Sequence, residues 1–417
     1  MTTTHAATEI REREQRRIVW VLALATVLGG LGVGASLSAG ALLIVDITGA
    51  ESLSGFGSTM NALGAAIAGI PLARLAAKRG RRVALTTGSA IAVIGAIVII
   101  VASATRTPVA LFLGLAVLGV AVAVQLQSRF AATDLAVPSR RARDLSLVVW
   151  SITIGAVTGP NLIGPGERIG ELLGIPPLAG IFVFTVLAQA VAGLVVWFGL
   201  RPDPLLRARA VAAEPAPSGT NPTADPAAGI RATSAAPQFL AIAIVALGHA
   251  VMVALMAMTP LHLTHHGGSV TLVGFTISLH IAGMYALSPV FGVLTSRVGP
   301  LPVAFGGFAV LGLAALGTGF GGATVWIIQA ALVLLGVGWS MVTIAGASLL
   351  TSLAPIDVRP KRQGQSDTLM NAAGAAIGAA SGVVFAFGGF PLLSIVAGIL
   401  IALGALAAVR LTVAAQR

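Results

Sequence analysis

The sequence predicts an all-α membrane protein, with twelve transmembrane helices in two pseudo-symmetric six-helix bundles. Three observations carry that prediction. First, 56% of the 417 residues are hydrophobic, only 9% are charged, and mean hydropathy is +0.96. A soluble domain carries about 25% charged residues, so a water-soluble fold of this length could not cover its surface with so few. Second, the apolar runs are about 20 residues or longer, the length a helix needs to cross the hydrocarbon, whereas barrel strands alternate over roughly 10. Third, the chain repeats itself at a spacing of 219 positions: Gly55-Phe56 maps on Gly274-Phe275, Asn61 on His280, Gly64 on Gly283, Gly80 on Gly299, Gly119 on Gly338, Gly155 on Gly374 and Gly159 on Gly378. A constant offset implies two copies of one unit with equal loop lengths.

The elements follow in order. Residues 1–17 form a polar tail with Arg11, Arg13, Arg16 and Arg17. The apolar run behind it is too long for a signal peptide and lacks a cleavage pattern, so it is read as a retained first span. The N-terminal bundle, 18–200, divides into spans at roughly 18–45, 53–75, 82–104, 108–132, 143–164 and 177–200. Residues 201–236 hold Pro202, Pro204, Pro215, Pro217, Pro222 and Pro226, have no apolar period, and read as a flexible or partly extended linker. The C-terminal bundle, 237–413, divides at roughly 238–263, 270–294, 300–319, 325–353, 364–386 and 390–412, and residues 414–417 form a short tail. Lys and Arg concentrate in the N-tail, at 78–82 and 140–143, in the linker, and at Arg297, Arg359, Lys361 and Arg362. The opposite loops keep only Arg106 and Arg168 beside Asp46, Glu51, Glu167 and Glu171. The positive-inside rule then puts both termini in the cytoplasm of a multi-pass plasma or inner membrane protein. The same asymmetry explains the net charge of +11 without nucleic acid. There is no cysteine, which excludes disulfides.

Spans three, six, nine and twelve are nearly featureless, with Gln189 their most polar interior side chain. The other spans hold the interior His, Asn and Gln residues and most of the Trp residues. Polar groups in lipid are costly unless they face protein or water, so the first group is expected to face lipid and the second to enclose a central path.

Between spans two and three lies Ala73-Arg74-Leu75-Ala76-Ala77-Lys78-Arg79-Gly80-Arg81-Arg82, with a paler copy in Gly292-Val293-Leu294-Thr295-Ser296-Arg297-Val298-Gly299. This loop, the two six-span halves and the central linker resemble the major facilitator superfamily, over nearly the whole chain. The loop is similar to that family's signature G-x-L-a-D-r-x-G-r-r: Lys78, Gly80, Arg81 and Arg82 match, while Ala73 stands for the Gly and Ala77 for the Asp. The second copy keeps Gly292, Arg297 and Gly299, with Ser296 at the acidic position. In span five, Gly155-Ala156-Val157-Thr158-Gly159-Pro160 resembles in part the antiporter motif of the drug:proton exchangers. Small residues at i and i+4 let helices approach closely and Pro160 softens the span; Gly374 and Gly378 repeat that spacing. The Arg of span four usual in proton-coupled relatives is absent, with Leu115 in its place. The resemblance implies a secondary transporter.

His249 and His280 sit near mid-span. A histidine there titrates near neutral pH and could carry a coupling proton, or it could be a neutral side chain bonded to a neighbouring helix. Asn61, Gln125, Gln127 and Asn371 could contact substrate or join helices. Met252, Met256, Trp150 and Trp339 could line a cavity for apolar compounds or pack the core. On the basic side, the gate candidates are Lys78, Gly80, Arg81, Arg82, Arg129, Asp134, Arg297 and Asp367. Arg129 is read as snorkelling to the headgroups, or paired with Asp134 or Asp144. Asp367 is placed in the first turn of span eleven, where an acid favours the helix dipole; alternatively it accepts Lys78 or Arg79 in place of the missing Asp. His262, His265 and His266 at an external end have partial metal spacing but no acid or Cys beside them, so no metal site is expected.

The sum is a secondary transporter, expected to export an apolar or weakly cationic small molecule against protons by alternating access, as a monomer with no cofactor. An uptake or facilitative carrier of a neutral metabolite is the alternative, and a transporter-like sensor a remote one. No nucleotide loop, no nucleophile with a base and no metal constellation points to an enzyme.

Overall fold

The protein was analysed as a computed structural model, which describes residues 2–50, 53, 56–213, 235–267, 270–322 and 324–416. Most of the expected linker, residues 214–234, and the external residue Glu51 lie outside the described residues. Helices α1 (Thr2–Thr48), α2 (Phe56–Arg79), α3 (Arg81–Ala104), α4 (Pro108–Leu118), α5 (Val120–Ala131), α6 (Arg141–Asn161), α7 (Ile163–Leu173), α8 (Ile181–Gly199) and α9 (Pro204–Ala213) are followed by α10 (Ala236–His265), α11 (Val270–Tyr285), α12 (Ser288–Val298), α13 (Pro300–Phe320), α14 (Val325–Leu353) and α15 (Arg359–Gln416). The described residues contain no strand.

Among the described residues, ten helical stretches are long and apolar enough to cross a membrane. Two places account for the difference from twelve. Arg359–Val413 is a single stretch of 55 residues, far longer than the roughly 20 one crossing needs, and it breaks at Gly388 and Gly389, whose backbone angles leave the helix. Helix α6 begins with Arg141, Arg143 and Asp144, which dilute its apolar run.

The chain divides into two compact units: Met1–Val137 with Leu147–Arg209, and Pro138–Ser146 with Ala210–Arg417. The start of span five thus groups with the C-terminal half. Ser146 lies against Gly292, where the Oγ occupies the space a Cβ would need. In the first unit α8 packs on α1 and α3, and α2 packs on α4 and α5. Among the described residues its apolar interior includes one cluster around Leu22, Leu72, Val124 and Val196 and another around Leu43, Ile99, Leu115 and Phe182. In the second unit α10 packs on α15 and α14, α13 on α14, and α11 on α14.

Three sequence expectations change in detail. The polar N-tail is not separate from span one, because α1 runs unbroken from Thr2. The linker does not begin as a loose segment: Asp203 accepts the backbone N–H groups of Leu205 and Leu206 at 3.0 and 3.2 Å and starts α9. Helix α15 starts at Arg359 rather than 364. Asp367 is therefore about two turns inside it, and the dipole explanation for that acid no longer applies.

The repeat is also less regular than expected. Helix α13 starts 219 positions after α3, but α14 starts 217 after α4. The interval from the start of the third span to the start of the fourth is two residues shorter in the second half, because α13 has 21 residues where α3 has 24 and the connection after it is one residue longer. Accordingly Gly119 lies against Asn61, whereas the partner of His280 is Gly336, not Gly338.

Candidate functional site

The second unit brings three aromatic side chains together from α10, α11 and α14. Trp339 is 4% exposed, and its indole N–H donates to His249 Nδ1 at 3.0 Å. The rings lie 6.1 Å apart. Tyr285 meets Trp339 edge-on, with centroids 5.6 Å apart. Because Nδ1 accepts, the neutral imidazole carries its hydrogen on Nε2. That nitrogen faces Gly374 of α15, where a Cβ would stand only 2.8 Å away. His249 and Tyr285 are half-buried. Met252 is buried and Met256 half-buried farther along α10.

The same location in the first unit has no such chemistry. His249 corresponds to Gly30 and Gly374 to Gly155. There the two glycines touch directly: a Cβ on Gly155 would lie 2.6 Å from the Gly30 Cα. The partial motif of span five is thus first a close helix crossing between α6 and α1. Pro160 continues α6, and its side chain lies outside the described residues. Below the crossing, Gln125 is buried against Gly29 and Gly30, and Gln189 donates to the Gly29 carbonyl at 3.2 Å. Gln189 is 1% exposed, so this side chain of a supposedly featureless span serves to join α8 to α1. In the second unit Gly248 faces Val342 instead of a glutamine.

His280 is a different kind of histidine from His249. It is fully buried between α11 and α14. Its Nδ1–H donates to the Leu332 carbonyl at 2.8 Å, and Nε2 has no hydrogen-bond partner. Its counterpart Asn61 is buried and donates to Gly57 O at 3.2 Å within its own helix. Gln127 is buried and donates to Gly69 O at 3.1 Å, tying α5 to α2. Asn371 donates to the Asp367 carbonyl one turn earlier. Trp150 is 39% exposed.

The basic loop is organised by two acids. Arg81 and Asp134 form an ion pair at 2.8 Å in which both side chains are fully buried. A second guanidinium nitrogen reaches the other carboxylate oxygen at 3.3 Å. This two-point contact is the strong form of an Arg–carboxylate pair, and it gives Asp134 to Arg81 rather than to Arg129. Arg129 is only 2% exposed, so it does not snorkel to headgroups; its guanidinium lies 4.9 Å from the Phe130 ring. The second acid, Asp203, accepts the Arg82 backbone N–H at 2.7 Å. Gly80 has φ of 88°, a conformation costly for other residues, and its missing side chain leaves the space the Asp203 carboxylate fills. Arg209 of α9 donates to Ala77 O at 2.7 Å. Lys78 and Arg297 are exposed, Asp367 is buried, and Lys78 and Asp367 belong to different units.

Sequence reasoning did not single out Tyr285 or Asp203. Tyr285 is the chain's single tyrosine, and it lies in span eight. Asp203 stands before Pro204, and an acid ahead of a proline is a helix-start pattern.

Comparison with known proteins gives a consistent result. A family model described as Major Facilitator Superfamily matches residues 22–268 and 239–416. The chain is 35% identical over 389 residues to a Bacillus subtilis (strain 168) protein named uncharacterized MFS-type transporter YddS, covering 91% of this chain and 87% of that one. It is 28% identical to the riboflavin transporter RfnT of Brucella anthropi, over 85% of each chain. Among solved structures, a bacterial homologue of the iron transporter ferroportin in its outward-facing state superposes with a TM-score of 0.69 at 17% identity, covering 95% of this chain and 99% of that one.

Proposed function

The chain belongs to the major facilitator superfamily and is a multi-pass membrane transporter of small molecules, and from that premise we propose that it exports an apolar or weakly cationic compound in exchange for protons by alternating access. The observation that carries this reading is the His249–Trp339 bond. Nδ1 of His249 is an acceptor only while it lacks a proton. A proton arriving there would set two N–H donors against each other, and the indole would have to turn away. Protonation and the present aromatic arrangement are thus mutually exclusive, which is the property an exchanger needs at its shared site. Tyr285, Met252 and Met256 supply soft and aromatic surface suited to varied apolar compounds. The charge-poor spans support a substrate without strong charge. His280, enclosed on all sides, is assigned to helix joining rather than to proton passage.

The termini are assigned to the cytoplasm on the Lys and Arg asymmetry, and the working form to the monomer.

A second reading, a carrier of a neutral metabolite, is favoured by one fact: RfnT is named a riboflavin transporter, and a flat aromatic solute also suits the Trp339–Tyr285 pair. Reconstituted protein separates the two. In liposomes with a pH gradient, an exchanger moves a fluorescent lipophilic cation against its own gradient and loses this in His249→Ala but not in His280→Ala. A facilitative carrier equilibrates its solute regardless of the pH gradient, and that result would displace the first reading.

A further inference from the structure

Two arginines of the first unit cover one indole at the end of α8, and a third reaches the same corner. The Arg82 guanidinium carbon lies 4.7 Å from the Trp197 ring centre, and that of Arg201 lies 5.8 Å from the same ring. Arg201 also covers Phe198 at 5.6 Å. Arg17 of α1 reaches the same corner, donating to the Gly199 and Arg201 carbonyls at 2.9 and 2.6 Å. None of the three guanidiniums is ion-paired with a carboxylate among the described residues. The acid beside them, Asp203, spends both oxygens on backbone N–H groups, of Arg82 on one side and of Leu205 and Leu206 on the other. The next acid, Glu14, is paired with Arg207 at 4.0 Å. Nε of Arg82 is buried and has no hydrogen-bond partner.

Such a concentration of unpaired cations is unfavourable by itself, because like charges repel across a partly desolvated corner. Its surroundings say what would offset it. Trp20, one turn beyond Arg17, is 74% exposed, and Phe198 is 63% exposed. Exposed aromatic residues at the end of a span belong at the headgroup level of the bilayer. The guanidiniums are therefore at phosphate depth, on the end of the bundle that carries most of the chain's Lys and Arg.

We infer that Arg17, Arg82 and Arg201 around Trp197 form a binding site for the phosphate of an anionic phospholipid. The phosphate oxygens take the free guanidinium donors, and the acyl chains lie along the exposed apolar flank of α1 and α8. The lipid would join three separate elements: the start of α1, the start of α3 in the basic loop, and the corner from which Asp203 launches α9. It would so hold α9 against Ala77 through a ligand outside the transport path. The inference does not depend on substrate or on proton coupling.

The test is lipid retention by the purified full-length protein, measured by native mass spectrometry with added dioleoyl phosphatidylglycerol or dioleoyl phosphatidylcholine. The native chain should retain phosphatidylglycerol in preference. Arg82→Gln with Arg201→Gln should lower that preference by about fivefold per arginine. A control pair removing the same charge elsewhere, Arg168→Gln with Arg410→Gln, should leave it unchanged. If the double variant fails to fold, Arg201→Gln alone serves, since its exposed side chain makes only ring contacts. Equal retention of both lipids, equal loss in the control pair, or full displacement of the lipid by inorganic phosphate would each overturn the site.

Discussion

Trp339 holds His249 from one side while Gly374 leaves room on the other. The indole N–H donates to Nδ1 at 3.0 Å, and a Cβ at position 374 would crowd Nε2 at 2.8 Å. One ring nitrogen is therefore committed as an acceptor and the other faces Gly374.

That arrangement makes Trp339→Phe informative. The variant keeps an aromatic ring of similar position but cannot donate to Nδ1. A single neutral hydrogen bond contributes about 1 kcal/mol, so proton-driven uptake into inverted vesicles should fall roughly fivefold or more, while exchange of labelled substrate at equal pH persists. Equal loss of both activities would show that Trp339 acts only as packing.

The two histidines should separate by what their loss does. His280→Ala removes the buried bond to Leu332 O and opens a cavity, so it should lower the thermal unfolding midpoint in detergent, by about 2–4 kcal/mol of stability. His280→Asn, which installs the residue of the first unit, should recover part of it. His249→Ala, at a half-exposed position, should leave the midpoint nearly unchanged and abolish dependence of transport on the pH gradient. A stable, fully coupled His249→Ala protein would rule out the proposed proton site.

Breaking the Arg81–Asp134 pair should be costly. Removing one partner of a buried pair leaves an uncompensated charge, typically about 3–5 kcal/mol. Arg81→Gln and Asp134→Asn should each reduce the amount of folded protein recovered in monodisperse form. The pair Arg81→Gln/Asp134→Asn should recover more than either single change, because no lone charge stays buried.

Glycine replacements should rank by what they strike. Gly155→Ala drives a methyl group into the backbone of α1 at Gly30, which has no freedom to give. Gly374→Ala meets an imidazole that can rotate. The first should abolish accumulation of folded protein. The second should fold and lose coupling, as read from transport at equal and unequal pH. Comparable folding of both variants would remove the distinction between a backbone contact and a side-chain contact.

Much of this was legible in the sequence because lipid enforces simple rules. Span lengths follow from bilayer thickness, and hydropathy alone located α3, α8 and α13 nearly to their ends. The 219-residue offset aligned Gly155 with Gly374, but that Gly30 meets the first and His249 the second is visible only in the structure. Other features depend on contacts across the fold. Arg81 and Asp134 are 53 positions apart, and nothing local distinguishes Arg81 from Arg82. Arg129 looked like a residue that reaches for water because its neighbours in sequence are near a span end; its neighbours in space bury it. Asp203 was hidden inside a proline-rich stretch whose composition suggested no structure, although the Pro202-Asp203-Pro204 run marks a helix start. The difference between His249 and His280 is one of exposure, which periodicity cannot express.

The two-residue shortening between the starts of the third and fourth spans has a consequence for anyone who would exchange parts between the halves. A fourth-span graft cut at the 219-residue spacing would enter its new bundle advanced by two positions. At 100° per residue this turns the grafted rod by about 200°, so the side chains meant for the protein interior would point at acyl chains. Cut at 217, the same graft would present Gly336 where Gly119 stood, and the bundle could close around it.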